Sequence, residues 1–339
     1  MKGSWMVGLL LLTLSAAGGA AAGAGGPRLQ LPLICDMGKV CSVQNLPDHD
    51  PGPGFRDYNC GSLGYDGHKG TDIRVPNLRV MKQGVEVVAA ADGRVRATRD
   101  GMPDVGLRAP GQREAIRGRE AGNAVVVVHG DGWETQYSHM LRGSIRVKPG
   151  QMVKAGQVLG RIGLSGKTEF PHLHFSVRHH GRTIDPFTGT ALEAACGDTT
   201  GTLWSRRALA ALPYRPTGLL QAGFASERPV SERLEAGDYA ATRIAPDAPA
   251  IVFWVELFGV RKGDIERFQL LAPDGRVIAR QERELQRNRA RQYSYTGKRR
   301  RQRNWAPGSY EGRYQLLRKG PEGTRPVVDI VRELRVQAP

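Results

Sequence analysis

The chain has 339 residues, a length typical of about two domains. Hydrophobic residues make up 40% of it and charged residues 24%, which is enough apolar material for folded cores and excludes a fully disordered chain. The net charge of +16 indicates anionic surroundings without identifying them. A mean hydropathy of −0.39, with one long apolar run at the N-terminus, argues against a membrane-embedded protein.

The N-terminal run predicts an export signal over residues 1–26. Lys2 supplies a positive start, residues 5–14 are nearly all apolar, and small residues follow up to Gly26. This apolar stretch is well short of the ~20 residues that a membrane-spanning helix needs. We therefore expect a mature protein outside the cytoplasm, either periplasmic or secreted. An uncleaved N-terminal anchor is the alternative.

Residues 27–65 are rich in proline, glycine and aspartate and predict an irregular N-terminal lead-in. Disulfides are the default expectation for four cysteines in an exported chain. Of the three pairings that are open to them, we favour Cys35–Cys41 and Cys60–Cys196. A zinc site built from these cysteines is less favoured, because no two of them form a C-x-x-C pair.

Residues 66–196 consist of short β-rich runs separated by glycine-containing turns. No long helical periodicity interrupts them, so an antiparallel β-domain is predicted. Residues 99–122 form a polar insertion that is too long for a tight turn and is expected to be a surface loop. The clearest predicted strands are 85–91, 94–98, 124–129, 134–139 and 172–178.

The composition changes after residue 196. Residues 197–235 read as a connector with a helix around 203–212, and residues 236–339 return to a β pattern. Strand number and spacing predict a small immunoglobulin-like β-sandwich here, so that the whole chain is all-β. The predicted strands of this second domain are 251–258, 268–272, 276–280, 310–317 and 327–336.

Histidines in short, regular patterns are the strongest chemical signal in the sequence. His68 is followed four residues later by Asp72, and His172 and His174 stand two apart in a predicted strand. Residues two apart in a strand point to the same face, so both of these histidines enter one groove. A catalytic zinc site needs three protein ligands and an open position, and two histidines with one aspartate meet that count.

These motifs resemble the LytM/lysostaphin-type zinc endopeptidases of peptidoglycan, peptidase family M23. The resemblance covers about 110 residues and keeps the motifs in the family's order, with glycine-bearing segments between them. The motifs are His68-Lys-Gly-Thr-Asp72, Gly122-Asn-Ala-Val-Val-Val-Val-His129, Tyr137-Ser-His139, Val153-Lys-Ala-Gly-Gln-Val-Leu-Gly160 and Pro171-His-Leu-His-Phe175.

The resemblance implies a groove of antiparallel β-strands that holds one Zn²⁺ per catalytic domain. It assigns His68, Asp72 and His174 as zinc ligands, and His139 and His172 as the two other histidines of the active site. Zinc-activated water would then hydrolyse the peptide bond directly, without a covalent intermediate. We favour His139 as the base and His172 as the oxyanion stabiliser, and the reverse assignment stays open.

Some positions depart from the family's pattern or extend it. Ser176 stands where an acidic residue is common, and the 99–122 insertion is expected to rim the groove. Tyr137 is a candidate groove residue, with ordinary sheet packing as the alternative. An inhibitory latch is a further hypothesis for the lead-in; its candidate residues are Asn45, Asp48, His49 and Asp50.

Residues 287–303 form a basic tract that contains no acidic residue. This tract is typical of docking on an anionic wall polymer or a membrane surface, with a solvated hairpin tip as the alternative. Nucleic acid is disfavoured, because the chain is expected to be exported and no recognition motif accompanies the charge.

Together these observations predict an exported zinc-dependent endopeptidase that hydrolyses peptide bonds in peptidoglycan stem peptides or cross-bridges. Two alternatives stay open: a non-catalytic module that binds and activates another cell-wall hydrolase, and a secreted protease for Gly-rich proteins. The bond cleaved and the oligomeric state do not follow from the sequence.

Overall fold

The computed structural model describes residues 25–338, and the predicted export signal lies outside this range except for its last two residues. Among the described residues, no helix combines the length and apolar character that crossing a membrane requires. The strands are β1 Leu33–Ile34, β2 Ser42–Asn45, β3 Thr71–Arg74, β4 Glu86–Val88, β5 Gly93–Arg99, β6 Asn123–Gly130, β7 Trp133–Met140, β8 Met152–Val153, β9 Val158–Arg161, β10 His172–His179, β11 Arg182–Ile184, β12 Gly218–Ala225, β13 Arg243–Ile244, β14 Ala250–Val260, β15 Ile265–Leu271, β16 Val277–Glu284, β17 Arg289–Arg299, β18 Gly308–Gly320 and β19 Gly323–Val336. The helices are α1 Leu78–Gln83, α2 Gln112–Ala115, α3 Arg206–Ala211 and α4 Ser231–Ala236.

The N-terminal unit, strands β1–β11, is built on one antiparallel sheet in the order β2-β3-β10-β7-β6-β5-β8, with β11 added beside β10. A second small sheet has the order β1-β4-β9. Tyr137, Phe175 and Val127 are fully buried in the core of this unit. The prediction of an antiparallel β-domain is confirmed, and its five predicted strands correspond to β4, β5, β6, β7 and β10.

The C-terminal sandwich, strands β12–β19, consists of a three-stranded sheet β12-β14-β17 and a five-stranded sheet β13-β19-β18-β15-β16. Phe253 of the first sheet and Phe268 and Tyr314 of the second belong to one buried core. All strand pairs are antiparallel except β13 with β19. The structure is therefore a two-sheet β-sandwich, and its immunoglobulin-like topology remains a prediction.

One prediction and one alternative about this half of the chain were wrong. Strand β12 lies inside the predicted connector, yet it pairs with β14 and is part of the sandwich. The middle of the basic tract is strand β17, not a hairpin tip. The inward-facing residues of β17 are polar, so the strand lacks the apolar alternation by which a strand is recognised; they are Gln292, Ser294 and Thr296.

Both disulfides have the pairing favoured from the sequence, Cys35–Cys41 and Cys60–Cys196. The second joins residues 136 positions apart and ties the lead-in to the end of the N-terminal unit. The two halves of the chain also touch, because Phe258 of the sandwich is buried in the core of the N-terminal unit.

Candidate active site

Adjacent strands bring the predicted metal ligands together. His174 on β10 lies opposite Asp72 on β3, and His68 precedes β3. The Oδ1 atom of Asp72 is 2.8 Å from Nδ1 of His174 and 3.2 Å from Nε2 of His68, and these two nitrogens are 3.3 Å apart. Ligands about 2.0–2.1 Å from a tetrahedral zinc ion lie about 3.3 Å from each other. The three atoms therefore have nearly the spacing that one shared zinc ion requires.

Two of the three proposed ligands, His68 and Asp72, are held by a partner that decides which of their atoms faces the cluster. Nδ1 of His68 donates to the Leu46 carbonyl oxygen at 2.8 Å, which leaves Nε2 for the cluster. The Asn45 amide donates to Oδ2 of Asp72 at 2.8 Å, which leaves Oδ1. Such second contacts fix the orientation of metal ligands and tune their basicity.

Burial and mutual charge shift the pKa values of the ligands. Burial opposes ionisation of Asp72, but His68 and His172 outweigh it and hold the pKa of Asp72 well below its usual range. Burial also opposes protonation of His68, yet Asp72 raises its pKa, whereas burial lowers the pKa of His174. Because zinc binds deprotonated ligands, an ion at this cluster would displace protons and bind more weakly in acid.

Two further histidines face the same cluster. Nδ1 of His139 donates to the Ser165 carbonyl oxygen at 2.8 Å, and Nδ1 of His172 donates to the Phe170 carbonyl oxygen at 2.9 Å. In both rings this leaves Nε2 as the nitrogen that faces the cluster, and Nε2 of His172 lies 3.3 Å from Oδ1 of Asp72. One nitrogen from each of His139, His172 and His174 lies within 4.8 Å of the other two. Burial, followed by the neighbouring histidines, lowers the pKa of His139 well below its usual value.

A local irregularity of β7 aims His139 at the cluster. In a regular strand His139 would share a face with Tyr137, which points into the core. Instead the pairing of β6 with β7 shifts register between Tyr137 and Met140, and His139 adopts a left-handed φ of 61°. Such a conformation is uncommon for a non-glycine residue, and it is held here by a hydrogen bond from the His139 N–H to the Ala121 carbonyl oxygen at 2.9 Å.

The prediction that Tyr137 lines the groove was wrong. Its side chain is fully buried, its ring packs against Phe175, and its hydroxyl accepts the Ala90 N–H at 2.7 Å. Tyr137 lies opposite Phe175 in the sheet, whereas the neighbouring Ser138 lies opposite His174. Alternation along β7 therefore places Tyr137 in the core and Ser138 on the face of the cluster.

The latch candidates have different positions. The Asp48 carboxylate accepts hydrogen bonds from the backbone N–H groups of Asp50, Arg56 and Gly67. These bonds fix the conformation of the lead-in. His49 binds Asp185 instead of the cluster. Asn45 contacts the side chain of a proposed ligand, through the outer oxygen of Asp72. Asp48 instead contacts the backbone of His68, because the Asp48 N–H donates to the His68 carbonyl oxygen at 2.8 Å. Sequence motifs gave no sign of the supporting role of Asn45, because it depends on the pairing of β2 with β3.

The other departures also have defined places. Ser176 is buried on β10 opposite Gln136. The 99–122 insertion is a loop with the short helix α2, and it supplies the Ala121 carbonyl that holds His139. Glycine is required at position 70, because a Cβ there would lie 2.6 Å from Nε2 of His174.

Comparison with known proteins agrees with this geometry. Residues 66–186 match the model of peptidase family M23. This part of the chain is an M23 domain. It is similar to cell division protein DipM of Caulobacter vibrioides, with 35% identity over 114 residues that cover 33% of this chain and 16% of DipM. It is also similar to peptidoglycan DD-endopeptidase ShyB of Vibrio cholerae, with 32% identity over 118 residues that cover 35% of this chain and 22% of ShyB.

The chain thus spans about a fifth of the length of these relatives. Among solved structures, the catalytic domain of the prophage-encoded M23 protein EnpA from Enterococcus faecalis is 24% identical with a TM-score of 0.31. That match covers 48% of this chain and 96% of the EnpA domain.

Proposed function

We propose that the chain is an exported zinc-dependent endopeptidase that hydrolyses peptide bonds in the stem peptides or cross-bridges of peptidoglycan. The observation that carries the proposal is the triangle of His68, Asp72 and His174 atoms, 2.8–3.3 Å apart, with two more histidines presenting Nε2 beside it. The M23 match over residues 66–186, together with relatives such as ShyB that are named as peptidoglycan endopeptidases, supports this substrate class.

The donor set fits zinc. Two imidazole nitrogens and one carboxylate oxygen are the ligands of open, catalytic zinc sites, whereas calcium and magnesium prefer all-oxygen sets. When bound, zinc would polarise the scissile carbonyl group and lower the pKa of a bound water toward ~7. His68, Asp72 and His174 would hold the ion.

His139 is best suited to act as the base. Its low pKa keeps it neutral at physiological pH, and its anchored Nδ1–H leaves the Nε2 lone pair free to accept a proton from the attacking water. His172 then serves as the donor, because a protonated Nε2 stabilises the developing oxyanion and supplies a proton to the leaving amine. Its ring lies 4.7 Å from that of His139, close enough to act on the same peptide bond.

Digestion of purified sacculi tests the proposal. Wild-type enzyme, His139→Ala and His172→Ala are compared by mass analysis of the released fragments, with zinc content measured for each. We expect peptide-bond cleavage by the wild type and a loss of about 10²–10⁴-fold in each variant, with zinc retained. Equal products from wild type and variants would contradict the proposed mechanism.

The same assay with two further substrates, isolated cross-linked peptides and a Gly-rich protein, separates the alternatives. A zinc-containing protein that cleaves neither sacculi nor isolated cross-linked peptides would favour a binding or activating module. Release of peptides from a Gly-rich protein, but not from sacculi, would favour a secreted protease. The intact set of five site residues argues for catalysis over a module that only binds.

A further inference from the structure

The outer face of the three-stranded sheet carries aromatic and cationic side chains that the proposed chemistry does not use. Along β17 the even-numbered residues 292–296 are buried, so the odd-numbered ones lie on the opposite face, where Tyr293 and Tyr295 are half-buried against Leu234, Tyr239 and Trp254. Tyr293 and Tyr295 therefore stand side by side on this face, with ring centroids 5.7 Å apart. Arg299 lies at the end of the same row.

A shallow groove is built at this end of the strand. We call it the basic groove and define it by Arg228, Val252, Tyr295, Gly297, Lys298 and Arg299. The Arg228 guanidinium lies 5.8 Å from the centre of the Tyr295 ring. A Cβ at Gly297 would come within 2.6 Å of the Ile251 carbonyl oxygen and 2.9 Å of Val252, so glycine is required there.

The cations of the basic groove are not neutralised by the protein. Within residues 25–338, neither Lys298 nor Arg299 has a carboxylate within 4.0 Å, and both are exposed. Glu227, which also borders the groove, pairs with Arg233. The other end of β17 differs, because Arg291 there is paired with two glutamates. The groove therefore presents, beside the Tyr295 ring, at least two exposed cations without a carboxylate partner in the described part of the chain.

The row on β17 begins beside the candidate active site. Glu235 binds both Arg291 at 2.7 Å and Arg108 of the 99–122 loop at 2.8 Å. Arg108 in turn lies 3.6 Å from Glu169, three residues before His172. Eight residues of strand at ~3.4 Å each then place Arg299 about 27 Å further along the sheet. This distance suits a long polymer better than one short peptide.

We infer that the basic groove is a second binding site for the substrate polymer itself, a carboxylate-bearing peptidoglycan strand whose cross-link lies in the active site. The inference rests on the proposed function. Cations attract the carboxylates, and the Tyr295 ring offers a flat apolar surface for packing. A membrane fits less well, because the apolar floor residue Val252 is buried instead of protruding.

The test uses the full mature chain with Lys298→Glu and Arg299→Glu combined. The control combines Arg206→Glu with Arg207→Glu, which changes the net charge equally on two exposed residues of α3 that lie outside the basic groove. Binding to purified sacculi is measured by co-sedimentation over a range of NaCl concentrations, with a chelator present so that the polymer stays intact. Hydrolysis is then measured on sacculi and on a soluble cross-linked peptide.

We expect the groove variant to bind sacculi about tenfold more weakly at low salt, with the difference shrinking as salt rises. Its rate on sacculi should fall while its rate on the soluble peptide is unchanged, and the control should match the wild type in every assay. Unchanged binding, an equal loss in the control, or stronger binding to phosphatidylglycerol vesicles than to sacculi would overturn the inference. If the wild type binds through the groove but hydrolyses neither substrate, the proposed function fails and the binding site stands.

Discussion

A buried pair outside the active site, His49 and Asp185, makes stability depend on pH in a specific way. Nε2 of His49 is 3.0 Å from Oδ2 of Asp185, Nδ1 is 3.0 Å from the Ala194 carbonyl oxygen, and both side chains are fully buried. A neutral imidazole has one N–H, so only the protonated ring can donate to both acceptors. Burial opposes the charge, but the Asp185 and Ala194 hydrogen bonds outweigh it and raise the pKa of His49. Burial also raises the pKa of Asp185 against the effect of His49, so the pair holds its proton firmly.

The sign of the effect follows from the raised pKa. The unfolded chain binds this proton with the ordinary histidine pKa of 6.5, whereas the folded chain binds it more tightly. The stabilisation is therefore fully present below pH 6.5 and is lost as pH rises through the folded-state pKa. One proton limits the slope to about 1.4 kcal/mol per pH unit.

The test variant is His49→Gln. The glutamine amide has one donor nitrogen, whereas the protonated imidazole donates from two. Breaking a buried pair costs about 3–5 kcal/mol, and we expect that cost in the free energy of unfolding at pH 6. The cost should shrink with rising pH, because the wild type loses its proton while the variant has none to lose. Urea denaturation at several pH values between 5.5 and 9 measures it, with His180→Gln as the exposed control. A difference between wild type and His49→Gln that stays constant or grows with pH would refute the reasoning.

This pair also matters for the site. It fastens the lead-in to the loop after β11, and the same lead-in supplies the Leu46 carbonyl that orients His68. We therefore expect His49→Gln to weaken zinc binding as well as folding, although its side chain touches no ligand.

Three further predictions concern the support of the site. Asn45→Ala removes the amide that orients the ligand carboxylate and should weaken zinc binding about 10–100-fold, measured by competition with a chelator; unchanged affinity would exclude the supporting role. Gly70→Ala places a Cβ 2.6 Å from the His174 ring and should lower both zinc content and melting temperature, and a variant with normal zinc would contradict the crowding. Replacing Cys60 and Cys196 by alanine should cost about 2–5 kcal/mol in the free energy of unfolding, seen under oxidising conditions and absent when the wild type is reduced.

The sequence alone predicted which side chains form the candidate metal cluster, and it determined the class of the fold. His172 and His174 stand two apart in a strand, and this local period is enough to place both on one face. Pairing of β10 with β3 then places Asp72 opposite His174 in the candidate metal cluster. The antiparallel class follows in the same way from short strands with tight turns between them, which are also local features.

Tertiary structure decided whatever depends on register between strands. The direction of His139 comes from a register shift and a left-handed backbone, so simple alternation would have buried it beside Tyr137. The role of Asn45 depends on β2 lying next to β3, and β17 forms on polar inward-facing residues because its neighbour β14 supplies the apolar core. A pattern along the chain reports which side a residue faces, whereas the partner it meets there is fixed only when distant strands pair.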